Sequence, residues 1–92
     1  MLDIVPIQSE QQQQIIAASE AYIYQASAVL EFLFEPIPVM FDLKGKVAGM
    51  YKVKQAQRVI RYNPYIFAKY FTENLKTTVP HEVAHYVVDV MY

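Results

Sequence analysis

Hydrophobic positions between residues 9 and 35 recur at steps of three and four, which is the spacing of one face of an α-helix. The stripe consists of Ile15, Ser19, Tyr22, Ala26, Val29, Leu30 and Leu33. Ser9 and Gln12 have the spacing of a capping box, so Ser9 is predicted to cap this helix. The helix should run for about six turns and end before Pro36. We interpret the stripe as a core-facing surface rather than a partner-binding one.

Residues 37–62 change to the alternation of apolar and polar positions that is typical of β-strands. Three strands are predicted, over residues 39–43, 47–54 and 58–62. The two connections between them are short, and the first contains Gly45. Consecutive strands are therefore expected to pair in an antiparallel meander.

Two further helices are predicted after the strands. Asn63 is a good N-cap, and the proline that follows it suits the first helical position. The nearly uninterrupted apolar run at residues 65–71 predicts a short buried helix, which residues 73–74 should break. Thr77 or Thr78 is predicted to cap the final helix. The order of elements predicts one α+β domain with a long N-terminal helix, a three-stranded antiparallel sheet, a short helix and a final helix.

Length and composition limit the class of protein. The chain has 92 residues, of which 54% are hydrophobic, enough for the core of one small domain. It contains no cysteine, which excludes disulfides and thiolate zinc ligands within these residues. The N-terminus does not resemble a secretory signal, and no apolar run approaches the roughly 20 residues that cross a bilayer. We therefore expect a cytoplasmic protein that does not enter the membrane.

The charges are unevenly distributed, although the net charge is only −1. Residues 1–43 contain acidic residues and no base, whereas all eight lysine and arginine residues lie within residues 44–76. A basic section of this kind is able to attract nucleic acid or an acidic partner. The charges alone slightly favour the alternative, a solvated hairpin with lysines along its rim and edges.

Candidate chemistry is concentrated in the final helix. Both histidines of the chain are found there, His81 and His85, and Glu82 follows the first of them. Residues four apart on a helix lie on one face, so the two imidazoles should project together and reach one ion at about 2.0–2.1 Å. Glu82 leans over the same side, within reach of a metal-bound water. This is the H-E-x-x-H arrangement of zinc peptidases.

The alternative is that His81 and His85 are ordinary surface or capping histidines. His81 is predicted in the first helical turn, where the helix dipole favours a neutral imidazole. Because metal binding also requires a neutral ring, this point does not separate the two hypotheses. A separate apolar stripe favours the metal site, since it anchors the helix in the core. That stripe consists of Val79, Val83, Val87 and Val90.

Three blocks of the sequence resemble the SprT-like metallopeptidases, the family that includes the Spartan proteases of DNA–protein crosslink repair. The blocks are FDLKGKVAG at residues 41–49, IRYNP at residues 60–64 and TVPHEVAH at residues 78–85. They come in the order and approximate spacing of that family. The resemblance covers residues from about 38 to 88 and is more specific than the five-residue motif alone.

The resemblance implies a small zincin-like domain and a zinc-dependent metalloendopeptidase, a hydrolase acting on proteins or peptides. His81 and His85 would hold Zn²⁺, and Glu82 would act as the general base on a zinc-bound water. The strand at residues 47–53 is our candidate for binding an extended substrate along a sheet edge. Gly49 within it suits a close approach of backbones, although glycine within a strand more often marks a bulge.

DNA is a further partner that the resemblance implies. The candidate phosphate-binding residues are Lys44, Lys46, Lys52, Lys54, Arg58 and Arg61. No motif that reads bases is present, so such binding should be sensitive to salt and indifferent to sequence.

The sequence departs from the family in one respect. SprT-like sites use a third histidine downstream of the active-site helix, and this sequence contains no further histidine. Asp89 lies a turn farther along the same helix and Glu73 precedes it, so both are poor substitutes. We therefore expect a SprT-like domain over residues 1–92 that is truncated before its third ligand. The alternatives are a non-catalytic module that binds nucleic acid or protein and an inactive fragment of a peptidase. The sequence does not indicate an oligomeric state.

Overall fold

Six elements follow one another in residues 4–92, the part of the chain that the computed structural model describes. They are α1 (Ser9–Leu30), β1 (Val39–Met40), β2 (Gly49–Lys54), β3 (Gln57–Tyr62), α2 (Pro64–Lys69) and α3 (Phe71–Met91). The predicted α+β class and the order of its elements are confirmed. The first three residues, on which part of the signal-peptide argument rests, lie outside the described part. The helices described within residues 4–92 lack the combination of length and apolar composition that a membrane span needs.

Helix α1 has the predicted length of about six turns and ends before Pro36 as expected, but its start differs from the prediction. Ser9 is the first helical residue rather than the cap, and Gln8 precedes it as an N-cap without a side-chain hydrogen bond. The predicted capping box is therefore wrong. The helix ends at Leu30, well before Pro36, because Glu31 turns into the left-handed region with φ 51°.

The core-facing stripe of α1 is correct only over its middle. Ile15, Ser19 and Ile23 are buried at successive steps of four residues, and the sequence pattern did not single out Ile23. Val29 and Leu33 are 73% and 84% exposed, so the predicted stripe is wrong at its end. Because the helix stops at Leu30, Leu33 no longer continues the helical face.

The sheet is mixed, and its strand order is β1–β3–β2. Strand β2 pairs antiparallel with β3, in a register that begins at Gly49 opposite Tyr62. Strand β1 is short and parallel to β3, with Val39 opposite Ile60. The predicted antiparallel meander is therefore wrong for β1. The connection at residues 41–48 is long enough to carry the chain past the centre of the sheet, which leaves β3 there and β2 at an edge.

Helix α2 is confirmed with its asparagine cap, since the Asn63 side chain accepts hydrogen bonds from the backbone of Tyr65 and Ile66. Helix α3, however, begins at Phe71 and not at Thr77 or Thr78. The predicted break at residues 73–74 is wrong. The break lies at Tyr70, whose backbone leaves the helical region with φ −137° and ψ 61°.

The earlier start of α3 changes the setting of the histidines. Pro80 lies inside the helix rather than in its first turn, where it removes one backbone hydrogen bond. His81 therefore lies far from the helix N-terminus, so the predicted effect of the dipole on its ring does not apply.

The core lies where α3 packs between α1 and the sheet. Tyr62 of β3 is completely buried there, and its ring contacts that of Phe67 with centroids 5.3 Å apart. Its hydroxyl lies 3.0 Å from the hydroxyl of Ser19, which links the sheet to α1. From α3, Val79 and Val83 enter this core as predicted, together with Tyr86.

Replacing Ser19 by alanine is expected to lower the free energy of unfolding by about 1–3 kcal/mol, because the buried Tyr62 hydroxyl loses its partner. Urea unfolding measures this loss. In the double variant Ser19→Ala/Tyr62→Phe the cost should be smaller than the sum of the two single costs. Strictly additive costs would show that the two hydroxyls do not interact.

Candidate metal centre

The three predicted site residues lie together on α3, beside the start of β2. The imidazoles of His81 and His85 are exposed and converge, with their Nε2 atoms 3.1 Å apart. Their rings are nearly perpendicular, at 86°, with centroids 4.6 Å apart. Helical spacing thus brings the two nitrogens to one point on the surface.

This separation fits two ligands of one zinc ion. At ligand distances of about 2.0–2.1 Å, nitrogens this far apart subtend roughly 100° at the metal, near the tetrahedral angle. The same separation also fits a hydrogen bond between two neutral imidazoles, in which one Nε2 carries the proton. Both arrangements place a pair of nitrogens at this point.

A third ligand is not present among residues 4–92, where no three His, Cys, Asp or Glu side chains are grouped to hold a metal. Asp89 is occupied elsewhere, because its Oδ2 accepts hydrogen bonds from the Tyr51 hydroxyl at 2.7 Å and from Arg58 Nε at 3.0 Å. Glu73 is exposed in the first turn of α3, about two turns before His81. The expectation that both are poor substitutes therefore agrees with their positions.

Glu82 differs from the two histidines in that it is buried, whereas they are exposed. Only 6% of the residue is exposed, because its side chain lies against Gly49 of β2. Burial raises the pKa of its carboxyl above the ordinary 4.5, while His81, His85 and the backbone of Tyr51 act in the opposite direction. An acid with a raised pKa beside a pair of converging imidazoles is typical of an active site.

An open cleft of about 400 Å³ borders the site. One side is formed by residues 47–49, and the other by Thr77, Thr78, His81 and Glu82 of α3. Because β2 is an edge strand among those described, the predicted substrate strand has its unpaired edge in this region. The sequence pattern missed Thr77 and Thr78 as cleft residues, since it assigned them to the start of the helix.

The six basic candidates do not form one surface. Arg58 binds Asp89 and Arg61 binds Asp42, at 3.0 and 2.8 Å. The hydrogen bond from Arg61 lowers the pKa of the Asp42 carboxyl, and Asp89 has its pKa lowered by the Tyr51 hydroxyl and then by Arg58.

The four lysines of the set are all exposed. Tyr51 points towards α3, so its strand neighbours Lys52 and Lys54 project from the opposite face of the sheet. Lys44 and Lys46 lie in the connection that leads to the cleft.

Substituting Gly49 by alanine should lower the free energy of unfolding by about 1–3 kcal/mol, the cost of an overpacked contact. The added Cβ would lie 2.8 Å from Thr78 Cγ2 and 3.0 Å from Glu82 Cγ. Gly45→Ala is the control, because its cost comes only from a φ of +93° in open space. Thr78→Ser should recover part of the loss in the Gly49 variant alone, as followed by thermal unfolding. Equal recovery in both variants would contradict the contact.

Glu82→Gln is predicted to stabilise the metal-free fold at neutral pH. When folding raises the pKa of a carboxyl, the free energy of unfolding falls as the pH rises through that raised pKa. A neutral amide does not titrate and avoids this loss. The advantage of the variant should shrink as the pH falls towards 4.5. Thermal unfolding from acid to neutral pH measures the difference. A variant that is less stable than the unmodified chain at neutral pH would exclude a desolvated carboxylate.

Similarity to known proteins extends over most of the chain. The model of the SprT-like family matches residues 19–92. Protein SprT of Pseudomonas syringae pv. syringae is 30% identical over 79 residues, which cover 86% of this chain and 47% of that protein. Protein SprT of Pseudomonas syringae pv. tomato is 30% identical over 80 residues, or 87% of this chain and 48% of that protein.

No solved structure matches the chain. The chain spans about half the length of the curated relatives it matches. The family match includes the short helix, the cleft and the whole of α3 with its two histidines. The chain belongs to the SprT-like family.

Proposed function

We propose that this chain is the metal-binding portion of a zinc-dependent endopeptidase, in which His81 and His85 ligate Zn²⁺ and Glu82 is the general base. The observation that carries the proposal is the pair of Nε2 atoms 3.1 Å apart beside a buried carboxyl. Membership of the SprT-like family agrees with it, and the resemblance of the sequence to metallopeptidases points the same way.

Zinc held by imidazoles would polarise a peptide carbonyl and make water acidic near neutral pH. The residues of the chain supply the proton chemistry. Glu82 accepts the proton of the attacking water and returns it to the leaving amine. Its raised pKa serves this purpose, because a carboxyl that is too acidic returns a proton poorly.

The substrate that suits the cleft is an extended peptide. Edge strands bind extended chains through backbone hydrogen bonds, and β2 has one edge unpaired among the described strands. The cleft wall at residues 47–49 consists of Val47, Ala48 and Gly49, which carry no charge. A protein segment that is locally unfolded would meet both requirements.

Catalysis requires a third protein ligand, as in other catalytic zinc sites. We propose that this ligand comes from outside residues 4–92, and that two imidazoles alone hold the ion weakly. Peptidase activity is accordingly proposed for a protein of the full length of the relatives, and zinc binding for this chain.

Zinc binding to the purified chain should depend on both histidines. His81→Ala or His85→Ala is expected to weaken binding at least about tenfold, because each removes a ligand. Isothermal titration and elemental analysis measure the affinity and the stoichiometry. Glu82→Gln is the control, since it should retain zinc while abolishing any peptidase activity. Undiminished zinc binding by either alanine variant would refute the assignment of ligands.

A non-catalytic role in binding DNA is the second candidate, and the exposure of Lys52 and Lys54 on one face of the sheet favours it. Two basic side chains at alternate positions of a strand can neutralise neighbouring phosphates.

Binding to a duplex of arbitrary sequence should weaken steeply as salt is raised. Lys52→Ala/Lys54→Ala is expected to lower the slope of log affinity against log salt by about 2. Lys69→Ala/Lys76→Ala removes the same charge elsewhere and should leave the slope unchanged. No binding at low salt, or binding that salt does not weaken, would exclude this function.

A further inference from the structure

The stretch of chain that forms one wall of the cleft does not bury a side chain in the core. We call residues 44–48, which lead into β2, the wall segment. Its residues are exposed from Lys44 to Val47, and Ala48 is only half-buried. Leu43 is buried immediately before the segment. Burial of side chains therefore does not explain how this stretch of backbone keeps its position opposite α3.

Hydrogen bonds from Asn63 hold the backbone of the wall segment in place. Its Nδ2 donates hydrogen bonds to the carbonyls of Gly45 and Val47, both at 3.1 Å. Its backbone N–H donates to the carbonyl of Ala48 at 2.9 Å. Asn63 itself is completely buried, and its side-chain bonds to the exposed wall segment are part-buried. Three carbonyls of the wall segment are thus held by one residue.

The oxygen of the same amide group caps the N-terminus of α2. Asn63 Oδ1 accepts hydrogen bonds from the backbone N–H of Tyr65 at 3.0 Å and of Ile66 at 3.2 Å. The side chain therefore uses both amide hydrogens and both acceptor sites. Aspartate and serine would keep an oxygen for the cap, but neither can donate twice to the wall segment.

We infer that Asn63 is a positioning residue that sets the distance between the wall segment and α3. The wall segment ends beside Gly49, which touches Thr78 and Glu82, so its attachment also limits how far the cleft opens. The importance of this width for peptide cleavage rests on the proposed function. The attachment itself does not depend on that function and is tested separately.

Limited digestion with trypsin tests the attachment, because Lys44 and Lys46 lie in the wall segment. Asn63→Asp should accelerate cleavage after Lys46 by about tenfold or more, since cleavage follows local opening. Cleavage after Lys76 in α3 should change much less. Ser19→Ala is the control, because it weakens the core without touching the wall segment and should accelerate both cleavages alike. A uniform acceleration in Asn63→Asp, or none, would overturn the inference.

Should Asn63→Asp fail to fold, Asn63→Ser applies the same test, because serine is also an effective helix cap. Amide exchange at Tyr65 and Ile66 reports whether α2 remains capped. We expect these amides to stay protected in Asn63→Ser and to exchange faster in Asn63→Ala. Unchanged cleavage after Lys46 in Asn63→Ser, with both amides still protected, would mean that the side chain serves only as a cap, which contradicts a separate role at the wall segment.

The width of the cleft can be measured with spin labels, since the chain has no cysteine of its own. Labels at Lys46→Cys and Thr77→Cys span the cleft, and labels at Gln14→Cys and Thr77→Cys span α1 and α3. Asn63→Asp should broaden the first distance distribution and leave the second unchanged. An unchanged first distribution would refute the positioning role.

Zinc titration of the same variants separates this inference from the proposed function. Both histidines lie on α3, so Asn63→Asp should bind zinc as the unmodified chain does. A chain that binds no zinc at all would refute the proposed function while the digestion and spin-label results still decide the role of Asn63. Loss of zinc binding confined to Asn63→Asp would show that the residue supports α3 rather than the wall segment, against our inference.

Discussion

The close approach of α3 to the first residue of β2 is the contact on which the site depends. Gly49 leaves room for Thr78 and Glu82, and a larger residue would force the helix away from the strand. The contact buries the carboxyl of Glu82 and leaves His81 and His85 on the open side of the helix. One packing constraint therefore produces a desolvated acid beside two converging nitrogens.

Asp89, which also lies on α3, has a carboxylate that serves the fold. Asp89 joins β2, β3 and α3 through Tyr51 and Arg58, one turn beyond His85. Burial, together with the hydrogen bond to Asp89, raises the pKa of Tyr51 to about 12, so its hydroxyl stays a donor. Neither of the two ion pairs in residues 4–92 includes Glu82. The two paired carboxylates therefore have lowered pKa values, whereas burial raises the pKa of Glu82, as its proposed role in proton transfer would use.

Local geometry explains which features could be predicted. Four-residue spacing on a helix alone brings the histidines together, and turn chemistry at Asn63 alone starts α2. The parallel pairing of β1 could not be predicted, because it depends on a partner distant in sequence. The early start of α3 could not be predicted, because the polar residues 73–74 interrupt the apolar run there. The packing of apolar residues of α3 in the core outweighs this local pattern. Those residues are Phe71, Leu75 and Val79, at steps of four. The hydrogen bonds from the Asn63 side chain to the wall segment could likewise not be predicted, because they join residues distant in sequence.

X-ray absorption at the zinc edge tests whether His81 and His85 share one metal ion, because it reports the atoms around the ion. With one zinc per chain, we expect two imidazole nitrogens at about 2.0–2.1 Å. His85→Ala should reduce this to one imidazole. Zinc whose surroundings contain no imidazole, or are the same in His81→Ala and His85→Ala as in the unmodified chain, would contradict the claim that the two rings share one metal ion.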